Sequence, residues 1–220
     1  MSSKSKLTPS HKKTRINWAT NYVDLGLQWK NVIFSDEKKF NLDGPDGCRK
    51  FWYHPASDKN TFLRRHSGGG SVMIWTAFSG SGKSELGVLE GHLIAQTYIK
   101  VLETNLLPLI QHNQSNGILF QQDNCPLHTA ATKQWLSFKN INCMEWPACS
   151  PDLNPMENIW SILSSKVDAN GQQFKSVAQL IQRMRFCWQN IANEIISSLV
   201  TSMKTRCVEI LRNKGNILNY

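Results

Sequence analysis

Two short apolar runs that each end close to an aspartate place the strongest constraint on how this chain can fold. The run at 32–34 ends two residues before Asp36, and the run at 118–120 ends three residues before Asp123. Runs of this kind are typical of strands buried inside a sheet. A buried carboxylate without a partner is costly or takes up a proton, so each aspartate is expected to have one. A divalent cation bound through oxygen ligands would serve.

The pattern around these runs predicts a mixed sheet with helices. Gly- and Ser-rich stretches that suit hairpins separate further strand-like segments, at 51–53, 72–75 and 86–89. Together with the first run they predict three or four antiparallel strands. Apolar residues at helical spacing predict helices at 10–29, 94–110 and 154–167. A further helix is expected to run through Trp135, and two more within 177–211. The run at 118–120 and a strand near 141–146 flank a helix, which favours parallel pairing.

Charge indicates the class of partner. The chain has 220 residues, a net charge of +9 and a pI near 9.4, which favours a polyanion and, first among polyanions, nucleic acid. The basic residues are spread along the chain, with a denser run near the N-terminus in which Lys12, Lys13 and Arg15 are the candidate DNA contacts. A solvated basic surface without a partner is the alternative, and charge does not decide between the two.

A third acid, Glu157, has two interpretations. In the segment at 154–157, Asn154 suits the N-cap of a helix and Pro155 its first position, which puts Glu157 in the first turn. A glutamate there is either a metal ligand beside the two aspartates or a capping-box residue with a structural role. The tripeptide alone leaves both open.

Residues 77–84 (AFSGSGKS) resemble a relaxed phosphate-binding loop, and they follow a predicted strand. Such a loop must open a helix whose N-terminus faces the phosphates. The residues that follow include Gly87, Val88 and Gly91 in a strand-like pattern, so a hairpin turn and no nucleotide cofactor are expected.

The cysteines and the hydropathy pattern limit the cellular compartments in which the protein is expected. The six cysteines form neither a CxxC pair nor a zinc-type cluster, so reduced and mostly buried thiols are expected. No run approaches the roughly 18 apolar residues of a membrane span, and the N-terminus has no signal-peptide core. We therefore expect no membrane partner and a location in the cytosol or nucleus.

Five segments, in order and spacing, resemble one protein family. They are FSDEKKF (34–40), GGGSVMIW (68–75), FQQDNCPLHTA (120–130), WPACSPDLNPMENIW (146–160) and SMKTRC (202–207). Together they resemble the catalytic domain of the mariner superfamily of cut-and-paste DDE transposases. The resemblance implies an α/β, RNase H-like fold, with a mixed five-stranded sheet and helices on both faces.

The same resemblance implies the site and its partners. Asp36, Asp123 and Glu157 match the catalytic triad and would hold two Mg²⁺ or Mn²⁺ ions. His128 matches a family histidine that would contact DNA phosphate or steady the metal site, although a buried, hydrogen-bonded histidine is the alternative. The implied partners are double-stranded DNA, as transposon ends and target, and a second copy in a homodimer, which places the protein in the nucleus.

Structural roles are expected for three residues close to the triad in sequence. Trp146 and Trp160 match family aromatics, and packing is favoured over base stacking for both. Asp152 precedes Glu157 closely, and a turn or capping role is favoured over metal ligation.

Two departures from the family qualify the prediction. Thirty-three residues separate Asp123 from Glu157, one fewer than the family usually has, and a residue missing from a helix rotates one side by about 100°. The family also carries two helix-turn-helix modules before this domain. We divide the chain into residues 1–30, a basic lead-in and short helix left from an interdomain linker, and 31–220, the catalytic domain. Site-specific end recognition is therefore expected to be absent.

Two hypotheses follow. The first is a transposase catalytic domain that cleaves DNA strands and transfers them with metal ions. The alternative is a catalytically silent, truncated or domesticated remnant that binds DNA or dimerises.

Overall fold

A mixed sheet forms around the two predicted apolar runs. The computed structural model describes residues 7–42, 70–91, 94–113, 117–124, 130–169 and 172–219. The strands in these ranges are β1 (Val32–Asn41), β2 (Ser71–Ser79), β3 (Gly82–Lys83), β4 (Gly87–Leu89), β5 (Leu119–Gln121) and β6 (Asn142–Cys143). The predicted strand at 51–53 lies outside the described residues.

The pairing of these strands makes the sheet five positions wide. Its order is β3-β2-β1-β5-β6, and β4 also pairs with β2. β1 pairs along one edge of β2. Both β3 and β4 must therefore pair along the other edge of β2. The β1–β2, β2–β3 and β2–β4 pairs are antiparallel, whereas β1–β5 and β5–β6 are parallel. The predicted mixed five-stranded sheet, with a parallel crossover to 141–146, is confirmed.

Seven α-helices lie within the described residues, and each falls in a segment with predicted helical spacing. They are α1 (Pro9–Tyr22), α2 (Ala95–Val101), α3 (Leu107–His112), α4 (Ala130–Phe138), α5 (Met156–Val167), α6 (Val177–Gln189) and α7 (Asn193–Arg212). A 3-10 helix at Val23–Asn31 continues α1, and a π-helical turn at Leu102–Leu106 joins α2 to α3. No helix in these ranges is both long and apolar enough to traverse a bilayer.

Two hydrophobic cores lie on opposite faces of the sheet. Successive residues of β1 point to opposite faces, so Val32 and Phe34 join one core and Ile33 joins the other. The first core contains residues of α1, α5, α6 and α7, and the second contains residues of α2, α3 and α4. Helices on both faces are therefore confirmed. Because Trp18 of α1 belongs to the first core, α1 packs with the sheet and the helices that follow it, and the division at residue 30 stays a prediction.

The loop that resembles a phosphate-binding motif is a hairpin, as expected. Residues of β2 and β3 pair directly across it, Ser79 with Gly82 and Phe78 with Lys83. The Lys83 ammonium donates hydrogen bonds to three backbone oxygens at the end of α6, at 2.7 to 2.9 Å. Cations are favourable at a helix C-terminus, where carbonyls lack partners. This lysine therefore caps a helix.

The cysteines correct one expectation. All four that the structure describes are free thiols, but only Cys187 and Cys207 are buried. Cys143 and Cys149 are exposed, because one lies on β6 at the sheet edge and the other in the turn before the Pro151–Leu153 3-10 helix. The prediction of mostly buried thiols was wrong for these two.

Candidate active site

Asp36 lies in the middle of β1 and is tied to the helix that carries Glu157. One of its carboxylate oxygens accepts a hydrogen bond from the backbone N–H of Glu37 at 2.9 Å. The other accepts one from the indole N–H of Trp160, on α5, at 2.8 Å. Trp160 is 1% exposed and packs edge-on against Phe40 of β1. The carboxylate therefore has both oxygens engaged and a fixed orientation.

The environment of Asp36 disfavours its charge. Burial, followed by the neighbouring charge of Glu37, raises the pKa of the Asp36 carboxyl from 3.8 to about 7. The hydrogen bonds from Trp160 and the Glu37 backbone oppose this rise, and the charge of Glu157 adds to it. A carboxylate in this position is stabilised by any cation that binds it.

Asp123 follows β5, the strand next to β1. The parallel register pairs Val32 with Leu119 and Phe34 with Gln121, and the same offset leads from Asp36 to Asp123. Ser35 holds this register, because its hydroxyl donates to the Gln121 backbone oxygen at 2.9 Å and its N–H to the Gln121 side chain at 3.3 Å. The register therefore places the two aspartates side by side just beyond the end of β5, and Asp123 is exposed there.

Glu157 stands in the first turn of α5, as predicted. Asn154 is extended and its side-chain oxygen accepts from the Met156 N–H at 3.1 Å, while Pro155 already has helical dihedral angles. A capping-box glutamate would need the Asn154 N–H, but that donor bonds the Pro151 oxygen at 2.9 Å. The structure therefore gives Glu157 no capping role, and its side chain is exposed.

The three acids lie near one another but do not close around a single metal position. Glu157 is close enough to Asp36 for its charge to raise the pKa of that carboxyl. Within the described ranges, however, no three Asp, Glu, His or Cys side chains are gathered tightly enough to hold a metal ion. The exposed side chains of Asp123 and Glu157 can reach other positions by changing rotamer. The donor set consists of carboxylate oxygens, which suits hard cations such as Mg²⁺ and Mn²⁺.

The predicted DNA contacts have different outcomes. Lys13 is exposed and Lys12 is partly exposed on α1, so both are accessible to a ligand. Arg15 is 0% exposed and pairs with the Asp152 carboxylate at 2.6 Å. The prediction of Arg15 as a DNA contact was wrong, because its helix turns that position into the core. His128 lies outside the described residues.

The predicted packing role of Trp160 was correct but incomplete. Its ring is buried as expected, yet its N–H also bonds Asp36. Positions three apart share one side of a helix, so the spacing of Glu157 and Trp160 could have indicated that both face the site. Trp146 is partly buried, with its ring 5.0 Å from that of Trp18.

Comparison with known proteins agrees with this geometry. Residues 31–181 match the family model of the DDE superfamily endonucleases. The chain belongs to this family. The match includes all three acids of the site and the sheet that carries two of them.

Curated relatives extend the match beyond those residues. The chain is 42% identical to the Tc3 transposase of Caenorhabditis elegans over 215 residues, which cover 97% of this chain and 65% of the relative. It is 33% identical to the Tcb1 transposase of Caenorhabditis briggsae, covering 96% of this chain and 78% of that protein. The resemblance to mariner-type transposases is confirmed, and the chain spans 65% of the Tc3 protein.

Solved structures show the fold. A Mos1 transposase paired-end complex superposes with a TM-score of 0.83 at 18% identity, covering 97% of this chain and 65% of that one. The catalytic domain of Mos1 mariner transposase superposes with a TM-score of 0.73, also at 18% identity, covering 98% of this chain and 99% of that one. The RNase H-like fold is thereby confirmed.

Proposed function

We propose that this chain is the catalytic part of a DNA transposase, and that it cleaves and joins DNA strands with the help of divalent metal ions. The observation that carries the proposal is the link between Asp36 and α5. The Trp160 indole joins Asp36, on β1, to α5, the helix that bears Glu157. The strand register brings Asp123 beside Asp36. Three carboxylates near the end of β5, in a DDE endonuclease family member, suit phosphoryl transfer.

Asp36, Asp123 and Glu157 would hold the ions, which we propose to be two Mg²⁺ or Mn²⁺. When bound, the ions would supply activation of a water or 3′-hydroxyl nucleophile and stabilisation of the leaving oxygen. The chain's own residues prepare the site. Trp160 fixes one carboxylate oxygen of Asp36, and with a pKa of about 7 this carboxyl is partly protonated in neutral solution. Supporting the choice of ion, Mos1 paired-end complexes have been solved with Mn and with Mg.

Double-stranded DNA, as transposon end and target, is the proposed partner. Supporting it are the net charge of +9 and the accessible Lys12 and Lys13 on α1. The fold is shared with Mos1 in paired-end and strand transfer complexes, which supports a homodimer that holds two DNA ends. A chromosomal substrate would place the protein in the nucleus.

Nicking of supercoiled plasmid in Mn²⁺ tests the proposal. Wild-type protein should nick, and Asp123→Ala should reduce nicking below detection because one metal ligand is lost. Asp24→Ala, an exposed acid in the Val23–Asn31 3-10 helix, is the matched control and should retain activity. Equal nicking by wild type and Asp123→Ala would refute the assignment.

Metal uptake distinguishes an active catalytic domain from a catalytically silent remnant. Calorimetric titration with Mn²⁺ should show binding that disappears when all three acids are changed to alanine, whereas DNA binding without such uptake would support the remnant. The short spacing before Glu157 does not disrupt the packing of α4, which keeps Thr132 and Leu136 buried on one side, at 0% and 1% exposure.

A further inference from the structure

Two buried arginines grip the short segment that leads into the proposed metal-binding helix. Arg15, on α1, is 0% exposed, and all three of its guanidinium nitrogens are used. They donate to both carboxylate oxygens of Asp152 at 2.8 and 2.6 Å and to the Ser150 hydroxyl at 2.8 Å. Two further bonds, at 3.0 and 3.2 Å, reach the backbone oxygens of Gly215 and Asn216 near the C-terminus.

Arg206, on α7, approaches the same segment from another helix. It is 1% exposed and donates to the backbone oxygen of Asp152 at 3.0 Å. A second bond, at 2.7 Å, reaches the side-chain oxygen of Asn158, the residue that follows Glu157. Ser202, one turn earlier on α7, accepts a bond from the Nε–H of Arg206 at 3.1 Å. The segment is therefore held on both sides of Glu157.

Stability alone is a weak reason for this arrangement. Burying a guanidinium costs several kcal/mol of lost hydration, and buried ion pairs are often no more stabilising than apolar residues of the same volume. What the two arginines do provide is directional: a planar fork fixes a carboxylate in both position and angle. Both forks act on the 150–158 segment, where Asn154 also caps α5 through its side chain. They therefore fix the start of that helix.

We propose that Arg15 and Arg206 are positioning residues for Glu157, which hold its backbone at the distance from Asp36 that metal binding requires. This inference rests on the proposed function. The Trp160 bond to Asp36 and the core residues of α5 hold the body of that helix, and the arginines add contacts on either side of Glu157, at Asp152 and Asn158. On this account, α1 is part of the active-site framework, because it supplies Arg15.

Charge-conserving variants test the proposal. Arg15→Lys keeps a cation but loses the bidentate fork, and Arg212→Lys, at an exposed position on α7, is the matched control. Supporting residues around metal ligands typically affect metal affinity or activity by about 10- to 100-fold. For Arg15→Lys we expect the Mn²⁺ concentration at half-maximal nicking to rise by about that factor, with a lower kcat and an unchanged KM for DNA. Arg212→Lys should match wild type.

A metal titration without DNA separates positioning from general stability. Mn²⁺ binding is followed by calorimetric titration at a fixed temperature, and the melting temperature of the metal-free protein is measured beside it. The binding midpoint should move to higher Mn²⁺ in Arg15→Lys by the same factor as in nicking. A purely structural role would lower the melting temperature in the absence of metal and leave the Mn²⁺ midpoint unchanged. That result would overturn the proposal.

Milder variants keep the test decisive if Arg15→Lys does not fold. Ser150→Ala removes one acceptor of Arg15, and Asn158→Ala removes the Arg206 contact beside Glu157. Each should shift the Mn²⁺ midpoint by a smaller amount, and no shift in either would also refute positioning. Wild-type protein that binds Mn²⁺ but does not nick DNA would refute the proposed function alone. Protein without any Mn²⁺ uptake would refute both.

Discussion

Replacing Asp36 by asparagine should make the metal-free protein less sensitive to pH. The carboxyl is partly buried on β1, and this burial together with the charge of Glu37 raises its folded-state pKa from 3.8 to about 7. The folded chain therefore binds this proton more tightly than the unfolded chain does. Stability from this group is fully present below about pH 4 and is lost as the pH rises through about 7. Asparagine carries no ionisable group, so its variant lacks this loss.

The size of the effect follows from the two pKa values. Since each tenfold change in a protonation equilibrium corresponds to about 1.4 kcal/mol, the rise from 3.8 to about 7 gives an upper limit of about 4 kcal/mol at pH 8. For a domain of this length that is up to roughly 8 to 16 °C in melting temperature. The partly solvated site and the loss of one accepting oxygen in asparagine both reduce the gain.

The assay is thermal unfolding of wild type and Asp36→Asn between pH 5 and pH 8.5 in EDTA. The wild-type melting temperature should fall relative to the variant across this range, and Mn²⁺ at pH 8 should restore it in wild type only. Comparing the two pH profiles cancels the titration of histidines and other groups. Parallel profiles for the two proteins would show that Asp36 is ionised without cost, and would refute the argument from burial.

Two further predictions concern contacts remote from the acids. Lys83→Met should lower the free energy of unfolding in urea by about 1.5 to 3 kcal/mol, because three carbonyl oxygens lose a charged donor; an unchanged unfolding midpoint would contradict its role as a cap. Gly215→Ala should destabilise the protein more than Gly91→Ala does. Both glycines have positive φ, at 76° and 72°, but only at Gly215 would a Cβ meet a backbone oxygen, that of Lys12 at 2.5 Å. Equal losses in melting temperature would contradict the close approach of α1.

Local patterns predicted most of the fold. The apolar runs predicted β1 and β5, and strand-like segments between Gly- and Ser-rich stretches predicted β2 and β4. Helical spacing predicted the seven described helices, because a period of 3.6 residues reflects which side of a helix is buried. Turn chemistry likewise predicted the hairpin at Gly82. Helix boundaries were less well predicted. The pattern placed the start of α5 at 154, whereas the helix begins at Met156, because the ends of helices depend on their caps.

The candidate site was predicted through its motifs, and its supports were not. Asp36, Asp123 and Glu157 stand in segments whose order and spacing resemble one family. The spacing of Glu157 and Trp160 indicates a shared side of the helix but does not specify that Trp160 donates to Asp36, and the basic run near the N-terminus suggested that Arg15 would face DNA. The structure instead buries Arg15 against Asp152.

The sequence by itself determined the strands and helices, the three acids and the family, because these depend on periodicity and on residues close together in the chain. The tertiary structure alone decided the partners of the long polar side chains. Arg15, Lys83 and Arg206 reach residues between 48 and 201 positions away. A cation of this kind binds whatever oxygen atoms the packing of remote elements brings within reach, and no local pattern specifies those atoms.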